Sequence, residues 1–174
     1  MNDTGEGKVT KERNGKRLVL SEQAFEKVTE TLNWLVAKTQ ARTVIFCDVN
    51  GHLVAQRGET VGYDANALCA VAAGEFSATS ELAKMIGQSD SFRYLYHEGP
   101  ESNVYICRVN PDFFLVVVFD HSVALGMVRV FARKAIESLA DVKQTGLEAP
   151  GPESFLDVEF STLLGRKVDQ SLGF

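Results

Sequence analysis

Apolar positions recur along this chain with two different periods. Phe25, Val28, Leu32, Leu35 and Val36 fall at helical spacing, behind Ser21, a preferred N-cap, and Glu22 in the first turn. Residues 22–39 are therefore predicted to form an amphipathic helix. Residues 43–48 are β-branched and apolar, and residues 52–57 follow across Asn50-Gly51, the strongest short hairpin signal.

Residues 64–88 read as one long helix that carries only Asp64, Glu75, Glu81 and Lys84 as charges. On a helical projection Leu68, Val71, Ala72, Leu82, Ala83 and Ile86 share one face, which is expected to point inward. The opposite face carries Asn66, Ala70, Ala73, Gly74, Ser77, Glu81 and Lys84. Glu75 and Thr79 project near the centre of the apolar face, and the sequence offers no reason for them. A helix that is apolar or small on nearly every side is expected to be covered on more than one side. One domain covers one side and a second chain must cover the other, which points to a protein that works by binding proteins.

Three strands are predicted next: residues 92–97, 103–109 and 112–119, the last two joined by an Asn110-Pro111 turn. In the first, Phe92, Tyr94 and Tyr96 alternate with Arg93, Leu95 and His97. The run Phe113-Phe114-Leu115-Val116-Val117-Val118-Phe119 does not alternate, which predicts a central strand covered on both faces. Ser122 is expected to cap a last helix over 123–143, with Leu125, Val128, Ala132, Ala135, Ile136 and Leu139 inward. Gly146 and Pro150 end it.

The order αββαβββα predicts an α+β sandwich, a five-stranded, mostly antiparallel sheet with helices on both faces. Residues 1–17, polar and glycine-containing, are expected to be a disordered N-terminal arm. Residues 18–145 form the domain. Residues 146–174 form a C-terminal extension in which Leu156, Phe160 and Leu164 make an apolar docking segment, helix or strand.

Composition narrows the function classes. The 174 residues are 45% apolar and 24% charged, as in an ordinary globular protein. A net charge of −5 argues against a general nucleic-acid binder. The polar N-terminus is not a signal peptide, and the longest apolar run is far too short to span a bilayer, so a cytoplasmic protein is expected. Cys47, Cys69 and Cys107 are odd in number and lack paired spacing. They are read as small buried hydrophobes and not as a disulfide framework.

No catalytic constellation emerges. GxxxxGK[ST], GxGxxG, HExxH, CxxC pairs and GxSxG are all absent from the sequence, so no cofactor and no metal are expected. Asp120-His121-Ser122 holds the residue types of a triad, but adjacent side chains point in different directions, and helix entry is the better reading. Arg129, Arg133 and Lys134 read as a solvated face balanced by Glu137 and Asp141.

The helix ending in Leu32-Asn33-Trp34-Leu35, followed by Thr43-Val44-Ile45-Phe46-Cys47-Asp48-Val49-Asn50-Gly51-His52-Leu53-Val54-Ala55, resembles the opening of a Roadblock/dynein light-chain domain. The Ala-rich second helix, the Tyr94-Leu95-Tyr96 strand, the Phe113-to-Phe119 run and the closing helix continue the likeness over roughly residues 20–143. With its arm and tail, the chain looks most like the bacterial MglB-type GTPase regulators. The resemblance implies a homodimer in which the strand holding Phe92, Tyr94 and Tyr96 pairs with its twin into one continuous sheet and the second helices pack side by side. It also implies a Ras-like small GTPase as partner, whose hydrolysis is stimulated without an inserted arginine finger. The contact is expected at Ala70, Ala73, Gly74, Ser77, Glu81 and Lys84, with the tail as a second contact. Two other readings stay open: a light-chain or scaffold subunit without effect on turnover, and a small-molecule sensor of PAS or profilin-like shape with a pocket holding His52, His97 or Tyr105.

Overall fold

A computed structural model describes residues 8–13, 16–62, 64–143 and 146–148. Its elements are β1 (Lys8–Arg13), β2 (Lys16–Ser21), α1 (Glu22–Thr39), β3 (Thr43–Asp48), β4 (Leu53–Gly58), α2 (Ala65–Met85), β5 (Tyr94–Glu98), β6 (Asn103–Arg108), β7 (Phe113–Phe119), α3 (Leu125–Leu139) and β8 (Gly146–Glu148). The main sheet runs β4-β3-β7-β6-β5, antiparallel throughout.

The unbroken apolar run explains the layering. β7 is central and buried along its whole length. Its alternation is present but hidden, because both faces are covered. Phe113, Leu115, Val117 and Phe119 enter a core closed by α1 and α3, while Phe114, Val116 and Val118 enter a smaller one closed by α2. In the larger core Val28, Leu32 and Leu35 of α1 meet Val128, Ala132, Ala135 and Leu139 of α3, all with essentially no exposed surface. Each Leu or Val so buried contributes about 1.5–3 kcal/mol. Trp34 and Phe131 pack edge to face across the helices, 5.7 Å between ring centres.

The cap expected at Ser21 forms, and α2 gains one that was not expected. Ser21 Oγ accepts the Ala24 N–H at 3.2 Å and caps α1. Asp64 Oδ1 accepts the N–H groups of Asn66 and Ala67 and caps α2. At the other end of the chain, Ala124 takes the N-cap position of α3 without a side-chain bond. Ser122, expected as that cap, donates its N–H to Asp120 Oδ1 at 2.8 Å. Its hydroxyl also donates to that oxygen, which holds the Asp120 carboxyl below the ordinary value.

Two expectations are corrected. The segment read as a disordered arm holds β1 and the start of β2, paired from Lys8↔Ser21 to Arg13↔Lys16, and β8 joins β2 through Arg17↔Glu148. β8 lies far along the chain, but β1 and β2 flank Asn14-Gly15, a hairpin signal that the polar composition of the segment obscured. The second correction concerns the cysteines. Cys107 is a free, buried thiol, but Cys47 and Cys69 form a disulfide with Cα atoms 5.9 Å apart. Cys47 faces the α2 side of β3 and Cys69 lies on the inner face of α2, so tertiary packing brings together two residues 22 apart in sequence.

Candidate functional site

The Asp48–His52 turn sets the position of α2. Asp48 has no exposed surface; its Oδ1 accepts the N–H groups of Asn50 at 3.0 Å and His52 at 2.7 Å, and its Oδ2 lies 2.7 Å from His52 Nδ1. Gly51 takes φ +87°, and a Cβ there would stand 2.8 Å from Ala70 Cα. The glycine thus serves both the turn and the close approach of the turn to the helix.

On α2 the inner face is rotated from the predicted one. The buried residues are Ala65, Cys69, Ala72, Phe76 and Ala83. Of the six expected inside, Ala72 and Ala83 are buried and Leu68 is half-buried, but Val71, Leu82 and Ile86 are 67%, 50% and 57% exposed. Small residues seat the helix close to the sheet, and the disulfide fixes that rotation. The bulkier side chains are left on a flank that also carries Met85, 81% exposed. Glu75 and Thr79 lie beside β5 and not at the centre of the core. Glu75 Oε1 is 2.7 Å from His97 Nε2, and the Thr79 hydroxyl donates to the carbonyls of Glu75 and Phe76.

The opposite flank is open. Ala70, Gly74, Ser77, Glu81 and Lys84 are exposed and Ala73 is half-buried. A Cβ added at Gly74 would meet nothing within 4 Å. Lys84 Nζ and Glu81 Oε1 pair at 2.7 Å on that surface. Two of the strip's residues, Ala73 and Ser77, also line a cavity of about 160 Å³ between α2 and the ends of β6 and β7, together with Phe76, Ser80 and Arg108.

β5 is an edge of the main sheet. Phe92, assigned to this strand from the sequence, precedes it. The Tyr94 ring lies 5.6 Å from that of Tyr105 and 4.8 Å from the Arg129 guanidinium, whose Nη2 donates to Tyr94 Oη at 2.9 Å. Tyr96 packs toward Phe119. These side chains lean toward the α3 face, Tyr94 remaining partly exposed, and the outer edge of β5 presents its backbone ladder. Burial pushes the Tyr105 phenol and the Cys107 thiol up to about 12 each. Arg129 is therefore engaged with the edge strand, and Asp141 pairs with Lys27 at 2.7 Å.

The residues named for a sensor pocket do not converge. His52 is held by Asp48, His97 by Glu75, and Tyr105 lies under Tyr94. His121 Nε2 sits 3.1 Å from the Gly99 carbonyl oxygen. Among the described residues no cluster of His, Cys, Asp or Glu could hold a metal ion, and no helix is long and apolar enough to cross a membrane. Leu156, Phe160 and Leu164 lie outside the described residues.

Residues 27–119 match the model of the Roadblock/LC7 domain. Among solved structures, the chain is similar to Myxococcus xanthus MglB, with 34% identity, 67% of this chain and 94% of that one covered, and a TM-score of 0.64. It is similar to the gliding protein MglB of Thermus thermophilus at 29% identity, over 71% of this chain and 93% of that one, with a TM-score of 0.66. It also resembles an MglB with a tetrameric arrangement, at 28% identity over 71% and 92% of the two chains, with a TM-score of 0.67.

Proposed function

The chain belongs to the Roadblock/LC7 domain family, and from that premise we propose that it is a homodimeric regulator of a small Ras-like GTPase, an activator of the MglB type. The GTPase is bound through Ala70, Ala73, Gly74, Ser77, Glu81 and Lys84. The observation that carries this reading is the open strip on α2. It is small enough in its middle for a partner's backbone to approach closely, and it lies on a helix fixed by the disulfide, by the Gly51 contact and by the core beneath. A rigid platform loses little conformational freedom when a partner docks.

The dimer forms through the other flank. Val71, Leu82 and Ile86 are exposed on the side of α2 that carries Glu75, which meets His97 of β5, and Met85 points outward beside them. An open edge strand beside an apolar helix flank is a liability that pairing with a twin removes. Activation works by reordering the GTPase's own residues. The likeness to MglB proteins supports the regulatory class. The scaffold reading predicts the same surfaces with no effect on turnover.

The test is single-turnover GTP hydrolysis by a Ras-like GTPase from the same genome, with and without this chain. Acceleration that saturates with chain concentration supports an activator. Saturable binding with unchanged hydrolysis favours the scaffold, and absence of binding in either nucleotide state overturns the proposal.

A further inference from the structure

Arg108, at the end of β6, is half-buried and makes no ion pair among the described residues. Its guanidinium lies over the Phe76 ring, 5.5 Å from the centroid. Its Nε is buried without a hydrogen-bond partner among the described residues. This is unusual for a side chain that carries donors in a fixed planar fork and is enriched wherever a carboxylate or phosphate is gripped. It is stranger still in a chain of net charge −5. On the facing helix, Glu75 is committed to His97 on the other flank, and Glu81 is committed to Lys84.

The cavity beside Arg108 measures about 160 Å³. That is below the ~300–1,000 Å³ of pockets built for small molecules, and of a size for the end of one side chain. Its wall carries Ser77, whose exposed hydroxyl can serve as a second donor. Ser80 is not available in the same way, since its hydroxyl donates to the Phe76 carbonyl at 2.8 Å and contacts Ser91 Oγ at 3.0 Å. Phe76 supplies an apolar floor beneath the guanidinium. The parts together form a notch with a cation at its end, a hydroxyl at its lip and an aromatic floor.

We propose that this notch receives one acidic side chain, Asp or Glu, from the protein that docks on α2, with its carboxylate on Arg108 and Ser77. The partner's identity as a GTPase rests on the function proposed above, whereas the chemistry of the notch does not. Because Ala73 and Ser77 belong to both strip and notch, an acid seated there fixes where along α2 the partner sits. On the rest of the strip the charges of Lys84 and Glu81 are paired with each other, which leaves that position open.

The test has two arms. The first titrates the full chain with N-acetyl-glutamate amide and, at matched ionic strength, with N-acetyl-glutamine amide and inorganic phosphate, following the side-chain Nε–H resonance of Arg108 and the Ser77 amide by NMR. The expected result is a saturable shift with the glutamate compound, none with the glutamine compound, and loss of the shift in Arg108→Gln with the fold's other resonances unmoved. Equal shifts for both amides, or shifts that persist in Arg108→Gln, overturn the proposal. Tighter binding of phosphate than of the glutamate compound also overturns it, in favour of a phosphoryl group. The second arm measures affinity for the Ras-like GTPase, where Arg108→Gln weakens binding at least tenfold and Arg108→Lys recovers only part of it. If wild-type chain binds no GTPase, the functional proposal fails while the first arm still decides the notch.

Discussion

Glu75 Oε1 and His97 Nε2 stand 2.7 Å apart, joining the middle of α2 to the edge strand β5. On a helical projection Glu75 is a polar intruder in an apolar face. In the fold it sits where that face meets the sheet's edge, and it ties the helix to the strand. The two side chains are 32% and 51% exposed, so water screens the pair. With His97 protonated, Glu75→Gln is expected to lower the urea unfolding free energy by roughly 0.2–1 kcal/mol at low salt and by less in 1 M sodium chloride, as surface pairs do. A loss of several kcal/mol that ignores salt would mean that the pair is buried in solution by something more than this chain.

The three cysteines make different predictions for thiol chemistry. Cys107 is buried and its thiol is pushed up to about 12, so it should stay protonated and inert in the native state at pH 8. With Cys47 and Cys69 bonded, Ellman's reagent should find no reactive thiol in folded protein, one after unfolding without reductant, and three after unfolding with reductant. Opening the disulfide releases a loop closed across 22 residues, which in the chain-entropy account lowers stability by about 3 kcal/mol. Three thiols in unfolded, never-reduced protein would show that the pair is not bonded.

How much of this was legible in the sequence depends on how local each signal is. The Asn50-Gly51 hairpin, the Ser21 cap and the central β7 were all readable, because each rests on a few adjacent residues. The inner face of α2 was not. Apart from Phe76, the residues of α2 that face the sheet are small, Ala65, Cys69, Ala72 and Ala83, while Val71, Leu82 and Met85 face out. A helix with a second interface breaks the assumption that the bulkiest side chains mark the core. The β2–β8 pairing and the Cys47–Cys69 bond join segments distant in sequence and have no local signature, whereas β1 and β2 flank Asn14-Gly15, a hairpin signal that the polar composition of the segment outweighed. Arg108 gave no signal either, since a single arginine at a strand end is commonplace until its neighbours are known.

Two glycines separate platform from scaffold. At Gly58 φ is +93°, and a Cβ would collide with the Arg42 carbonyl oxygen. Gly58→Ala is therefore expected to destabilise the fold by about 1–3 kcal/mol or more. Gly74 lies in mid-helix with open space around it, so Gly74→Ala should stabilise by about 0.5–1 kcal/mol through helix propensity. Gly74→Arg should leave the melting temperature near that of wild type yet abolish GTPase binding in calorimetry. Undiminished affinity in Gly74→Arg would remove the strip from the interface.

Acid titration should report the Lys27–Asp141 contact that links α1 to the end of α3. The hydrogen bond from Lys27 holds the Asp141 carboxyl below its ordinary value of 3.8. A depressed folded-state value means that the contribution is fully present above 3.8 and is lost as pH falls through the folded value. Asp141→Asn should therefore be less stable than wild type at neutral pH and converge on it at the acid end. Curves that stay parallel throughout acid titration would mean that the carboxylate charge is not what Lys27 reads.

The flank carrying Val71, Leu82, Met85 and Ile86 gives the sharpest test of self-association. Leu82 is half exposed in the single chain and touches solvent where β5 also lies open. A charge there costs an isolated chain little, because exposed substitutions usually change stability by about 0.5 kcal/mol or less. In a dimer that stacks α2 on its twin, Leu82→Asp sets two carboxylates against each other in a dry contact, which neither water nor a counter-charge relieves. Sedimentation should then fall from the mass of two chains to the 19.1 kDa of one, with an unchanged far-ultraviolet spectrum. Since Ala73 and Ser77 lie on the other flank, the monomer should retain whatever GTPase affinity a single strip provides. A mass that stays at two chains would move the interface away from this flank and leave β5 or α3 to carry it.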